Sequence, residues 1–386
     1  MKLRDSEASA PPARLSGLQI LRGVAAMLVV VFHLGRTAHF QAGLDDAATL
    51  VGAAGVDLFF VISGFIMIHT TRRGLAPGAF LRRRLARIAP LYGLATLLAF
   101  GLAGLAPRAA GSEPLWRLAA ALTFFPSFNA KGEIAPVFEP GWTLQYEAFF
   151  YVVLALASAL SFRRRLAILS AALLGAVAAG ALDHVTPFAL PAPLACWTDP
   201  LLLEFLAGCL IARLHAAGRL ALAPAAAAAL ILLGAALLLV AATAAAARPH
   251  WIEHWRWLAW GGPAAAIVAG VASLERRVDF SRFSFAVRLG DSSYALYLSH
   301  VFVVAAAGQA LRLAPSLLAT NAADLLAPVG AAAFCGALAV GSFVHARIET
   351  PLTAAHQANS AAQGQSASVH VTKFRSPRRE SGIDGI

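Results

Sequence analysis

The chain has 386 residues, 59% hydrophobic and 13% charged, with a formal net charge of +11. Roughly 25% of the residues of a soluble globular domain are charged, so the soluble α/β, disordered and disulfide-scaffold classes are excluded together. A mean hydropathy of +0.69 agrees, and on a membrane chain the excess of Lys and Arg points to cytoplasmic loops and an anionic lipid or ligand rather than to nucleic acid.

Residues 1–17 are polar and Pro-containing and read as a disordered cytoplasmic N-terminus. The apolar run from Leu18 is followed by Leu34-Gly35-Arg36-Thr37 instead of a small-residue cleavage site, so it reads as an uncleaved span. A spanning helix needs about 20 mostly apolar residues. Runs of that kind lie at 18–35, 50–69, 85–106, 142–162, 166–182, 199–215, 221–247, 257–274, 290–312 and 324–345. Residues 115–128 are apolar but short and end near Pro126, which suits a re-entrant or interfacial segment. From residue 352 the chain becomes Ser/Ala/Gln-rich and then basic, a disordered cytoplasmic tail, which leaves 18–351 as the transmembrane domain. Cys196, Cys209 and Cys335 are scattered, with neither disulfide nor metal-ligand spacing. No internal repeat and no matched pair of broken helices, the marks of a transporter, is evident.

With the N-terminus inside and ten spans, 22 Lys and Arg fall on the cytoplasmic side and seven outside, as the positive-inside rule requires. A crossing at 115–128 would move Arg163, Arg164 and Arg165 outside. The expected architecture is an all-α polytopic bundle of about ten transmembrane helices with both termini cytoplasmic.

An ionisable group at the centre of a span costs about 2.5–3.5 kcal/mol and is a functional candidate by default. Arg22 and His33 share one face of the first span, since their separation is three turns plus about 20°, and they lie about 16 Å apart along the axis. Arg22, near the inner end, either snorkels to headgroups or meets a ligand. His33, in the outer half, is either a helix–helix hydrogen-bond partner or a base. Asp57 in the second span lies at a similar depth, either packed and hydrogen-bonded or orienting the imidazole of His33. Arg84 and Arg87, at i and i+3 in FLRRRLARIAPLY, are either ordinary inner-face charge or an arginine fork for phosphate. Glu147 and Tyr151 follow at i and i+4 in the fourth span, with Glu147 deeper than the aromatic belt of Trp142 and Tyr146 explains. Glu204 lies in the sixth span. Ser293, Tyr297 and His300 make a polar stripe on the ninth, as inter-helix glue or as substrate lining. Glu349, after the last span, can pair with a cytoplasmic arginine. Cations near the inner face opposite an imidazole and carboxylates suit a phosphate-bearing cytosolic donor whose long arm reaches up the bundle to a base.

Arg22-x10-His33, GVDLFFVISGF at 55–65, RRLARIAPLY at 83–92, WTLQYEAFFY at 142–151 and SSYALYLSH at 292–300 together resemble the membrane-bound acyltransferase-3 family, and within it the exopolysaccharide and O-antigen acetyltransferases. The resemblance runs in the family's order over residues 16–351. It implies ten transmembrane helices in a bacterial-type inner membrane, acetyl-CoA or another acyl-CoA as donor without a metal, and O-acylation of a carbohydrate hydroxyl on a free or lipid-linked acceptor. It also implies that Arg22 and His33 are the family's essential pair, Arg84 and Arg87 its Arg-x-x-Arg motif, and Glu147 its WTL-x-x-E glutamate. On this reading His33, Asp57 and Glu147 are catalytic and Arg22, Arg84 and Arg87 hold the donor. Tyr151, Ser293, Tyr297 and His300 then contact substrate. The competing reading is a proton-coupled secondary transporter or flippase with His33, Asp57 and Glu147 as a relay; the inner arginine fork and the missing repeat speak against it.

Overall fold

The computed structural model describes residues 15–42, 47–71, 76–105, 113–183, 190–248, 255–318 and 322–355. Of the segments expected to be disordered, 1–17 and 352–386, residues 1–14 and 356–386 lie outside the described residues, as do Arg72 and Arg73, whereas 16–17 and 352–355 are helical. Among the described residues the structure is helical, with no strand beyond an isolated bridge between Phe128 and Ile134. Leaving aside single turns, the helices are α1 (Ser16–Ala42), α2 (Ala54–Thr71), α3 (Pro77–Leu105), α4 (Leu115–Leu122), α5 (Trp142–Ala157), α6 (Phe162–Asp183), α7 (Ala192–Trp197), α8 (Leu202–Ala216), α9 (Pro224–Ala247), α10 (Gly261–Leu274), α11 (Ser284–Asp291), α12 (Ser293–Leu318) and α13 (Ala322–Val344).

Nine helices among the described residues are long and apolar enough to cross a membrane, and they fall on nine of the ten expected runs. The remaining run, 142–162, forms the 16-residue α5, entered through a 3-10 turn at Glu139–Gly141. The awkward segment at 115–128 contains only the eight-residue α4. α3 starts earlier than the run at 85 suggests, because Pro77 suits a first helical position, where its missing N–H is no loss. The arginines of RRRLAR therefore ride on the helix itself.

α2 is the most enclosed span and packs on α1, α8 and α10. α6, α9 and α13 leave most of their apolar side chains uncovered, as helices facing lipid do. The α2–α8 crossing is close because glycines meet there. A Cβ on Gly64 would overlap the backbone carbonyl of Phe205, and one on Gly208 would overlap that of Val61. Small residues allow this approach in membranes, where close packing substitutes for the hydrophobic drive between helices.

Two charged side chains fix helix ends. α1 has no acidic residue in its first turn. Glu275, just past α10, accepts a hydrogen bond from the Leu18 N–H at 3.0 Å, so another part of the chain satisfies an orphan donor. Arg165 was expected as a cytoplasmic loop charge, but it is 3% exposed. Its guanidinium donates to the carbonyls of Thr71 at 2.7 Å, Ser158 at 3.0 Å and Leu160 at 3.3 Å. These carbonyls lie at the last residue of α2 and just past α5, where the C-terminal end of a helix attracts a cation.

Gly208→Val should destabilise the protein by about 1–3 kcal/mol, the scale of overpacking a tight interface. Thermal unfolding in detergent, followed by tryptophan fluorescence, checks this; an unchanged midpoint would contradict the α2–α8 contact.

Candidate functional site

Helical spacing brings the cavity together. Glu147 and Tyr151 leave one face of α5, and Arg84 and Arg87 leave one face of α3. With Arg22 of α1, Ser63 of α2, and Tyr294 and Tyr297 of α12, they line a cavity inside the bundle. Ser63 Oγ donates to Glu147 Oε1 at 2.8 Å, and the Tyr151 hydroxyl donates to the same oxygen. Arg84 donates to Thr70 Oγ1 at 3.0 Å and lies over the Phe80 ring. The Tyr294 hydroxyl donates to the Ile88 carbonyl at 2.6 Å, close to Pro90 inside α3, whose missing N–H loosens that turn. The basic and acidic side chains of the lining are three arginines and one glutamate. Like charges gathered in a low-dielectric interior repel and lose hydration, so the site favours an anion, and arginine forks match phosphate oxygens.

His33 is not part of this lining. It is half-buried, with its ring 4.9 Å from that of His300 between centroids. His33 Nδ1 lies 2.9 Å from the Val29 carbonyl and 3.4 Å from His300 Nε2. His300 is fully buried, with its Nδ1 3.2 Å from the Leu296 carbonyl. Tyr297 joins the two regions. It lines the cavity, its ring is 6.0 Å from that of His300, and its hydroxyl bonds Thr143 Oγ1 and the Pro140 carbonyl, both at 3.0 Å.

The expected pairing of Asp57 with His33 does not form. Asp57 is fully buried, and its two oxygens accept from Arg256 Nε at 3.1 Å and from the terminal guanidinium nitrogen at 2.9 Å. Sequence gives depth along a helix but not rotation, and the rotation of α2 turns Asp57 toward Arg256. That guanidinium also lies over the rings of Trp142 and Trp260, at 5.6 and 5.0 Å. The positive-inside count places Arg256 among the seven outer cations, and the aromatic run WIEHWRWLAW around it is the sequence's hint of an enclosed charge. Glu204 is buried against Gly261 and beside the Asp57–Arg256 pair. Glu147, expected beside His33, belongs instead to the arginine-lined cavity. Ser293 is fully buried with an unpartnered hydroxyl, away from the cavity lining. Glu349 bonds His345 Nδ1 at 2.8 Å rather than a cytoplasmic arginine.

Comparison with known proteins gives a family and relatives. The acyltransferase-3 family, described as an acyltransferase domain, matches residues 15–347. The exopolysaccharide production protein ExoZ of Rhizobium meliloti (strain 1021) is 37% identical over 273 residues, covering 68% of this chain and 81% of the relative. Protein 2 in the picA locus of Rhizobium radiobacter is 41% identical over 93 residues, 23% of this chain and 45% of that protein. The acyltransferase MdmB of Streptomyces mycarofaciens is 31% identical over 157 residues, 38% of this chain and 40% of that protein. No solved structure matches.

Removing one partner of a buried ion pair leaves an uncompensated charge, so Arg256→Ala should cost about 3–5 kcal/mol of stability. The double variant Asp57→Leu with Arg256→Leu should recover most of that loss. Thermal midpoints of the three proteins test it, and a double variant no more stable than Arg256→Ala would refute the pairing.

Proposed function

The chain belongs to the acyltransferase-3 family, and on that premise we propose that it moves an acetyl or similar acyl group from acyl-CoA to a hydroxyl of an exported polysaccharide. The observation that carries this reading is the excess of guanidinium over carboxylate in one interior cavity. Arg22, Arg84 and Arg87 hold the phosphates of a cytosolic donor, with Glu147, Ser63 and Tyr151 keeping the far wall in place. The similarity to ExoZ supports an exopolysaccharide acceptor, and the distribution of Lys and Arg supports cytoplasmic termini in a bacterial-type inner membrane. A proton-coupled carrier would have no use for three guanidiniums facing one carboxylate.

His33 is the general base. Its Nε2 makes no hydrogen bond with the protein among the described residues and is free to take the acceptor's hydroxyl proton. The deprotonated oxygen attacks the thioester carbonyl, the carbon–sulfur bond breaks, and the sulfur leaves as thiolate. His33 returns the proton to that sulfur, so the products are the carbohydrate ester and free CoA. For the thioester to reach His33 from the cavity it must pass the wall made by Phe59 and Tyr297, whose rings are 5.9 Å apart.

His33→Ala should abolish O-acetylation of the cell-surface polysaccharide, read by proton NMR, while the protein still accumulates in the membrane; full acetylation in that variant would sink the assignment. Arg84→Ala should weaken CoA binding by roughly 10–100-fold, the loss of about 1.5–3 kcal/mol in a charge-assisted hydrogen bond. Isothermal titration in detergent measures this, and an unchanged dissociation constant would move the phosphate site elsewhere.

A further inference from the structure

Asp57 is committed to Arg256, so the side chain that meets the ring of His33 from another helix is His300. We infer that His300 is a positioning residue for acyl transfer: together with the Val29 carbonyl it accepts from His33 Nδ1–H and fixes the ring in the orientation and tautomer that leave Nε2 as a free lone pair. This rests on His33 as the base.

The tautomers follow from what each ring nitrogen faces. A carbonyl oxygen only accepts hydrogen bonds. His33 Nδ1 sits 2.9 Å from the Val29 carbonyl, and His300 Nδ1 sits 3.2 Å from the Leu296 carbonyl, so both Nδ1 atoms carry hydrogen. Nε2 of neutral His300 is then a lone pair, and it lies 3.4 Å from the N–H of His33. The His33 hydrogen is shared between the Val29 carbonyl and His300. The opposite assignment, with His300 donating, would set one lone pair of each ring against a carbonyl oxygen. All three contacts agree on one arrangement, and it presents His33 Nε2 unprotonated.

His300 is fully buried, so water cannot replace it as acceptor. The charged side chains acting on His33 are Arg36 and Glu139, and neither is hydrogen-bonded to its ring. When Nε2 takes a proton, His33 becomes an imidazolium with donors at both nitrogens, and the lone pair of His300 continues to accept from Nδ1. The neutral ring thereby fills the orienting place that a carboxylate fills in a Ser-His-Asp triad. The cavity wall reaches this pair through Tyr297, one helical turn before His300 on α12 and in ring contact with it.

The alternative is that the two rings merely pack α1 against α12. Acyl transfer by the full chain in detergent, with CoA release as the readout, separates the two. His300→Leu keeps bulk but removes the acceptor, whereas His300→Gln places an oxygen where Nε2 lies. Positioning predicts that Leu lowers kcat by roughly 10–100-fold, the scale seen when the partner orienting a functional histidine is lost. The KM for acyl-CoA should stay within about twofold on the same grounds, and Gln should restore most of kcat. Nitrogen-15 NMR of histidine-labelled protein, with His33→Gln to assign the signal, should show His33 as the Nδ1–H tautomer in the wild type and a shifted Nδ1 resonance in His300→Leu, where the Val29 carbonyl is the acceptor that remains. The inference is overturned if His300→Leu keeps the wild-type kcat, or if Leu and Gln lose activity equally and in step with thermal stability. A wild-type His33 protonated at Nε2 overturns it even where His300→Leu fails to fold. His33→Ala separates the premises: activity retained there removes the base itself, whereas activity lost there with a normal His300→Leu removes only the positioning role.

Discussion

A guanidinium inside a membrane-spanning bundle must find either a counter-charge or a set of carbonyl oxygens, because hydrocarbon provides neither. The protein meets this constraint in three ways, and they sort its interior arginines by purpose. Arg256 is answered by both oxygens of Asp57 and by the faces of two tryptophans. Arg165 is answered by backbone carbonyls at helix ends. Arg22, Arg84 and Arg87 share one carboxylate in an interior cavity. The first two are held by protein groups and tie helices together, although Arg165 Nε itself has no partner among the described residues. In the third, three guanidiniums face a single carboxylate of the lining, which is the excess of positive charge on which the proposed donor site rests.

The placement of that cavity depends on how closely α2 can approach its neighbours. Glycines at the α2–α8 crossing bring backbones into contact, which puts α2 at the centre of the bundle and turns Ser63 toward Glu147. The same centring turns Asp57 away from His33 and toward Arg256. Packing of α1 against α12 sets the two histidines together. The geometry of the candidate site is thus a by-product of small residues that carry no chemistry.

The candidate residues fall into two groups. The arginines and Glu147 line the cavity, while His33 and His300 are outside its lining and meet it through the ring of Tyr297. Tyr297, tied to Thr143 and Pro140, stands on the boundary between them.

Much of this was legible in the sequence, for a physical reason. Spanning length, apolar composition and the distribution of Lys and Arg act along the chain, so the helices and the helical class follow from one-dimensional information. The i, i+3 and i, i+4 spacings likewise put Arg84 with Arg87 and Glu147 with Tyr151 on common faces. Depth along a helix could be read as well, which is why His33 and His300 both stood out as buried polar groups. What depth cannot supply is which face of one helix meets which face of another. Asp57 and His33 looked like partners by depth, and Glu147 looked like their neighbour. The rotations imposed by packing gave Asp57 to Arg256, Glu147 to the arginines and His33 to His300. Sequence therefore determined the helices and the depth of the polar side chains on them, whereas the tertiary structure alone decided their partners and enclosed Arg165 and Arg256, because both depend on helix rotation and contact across the bundle.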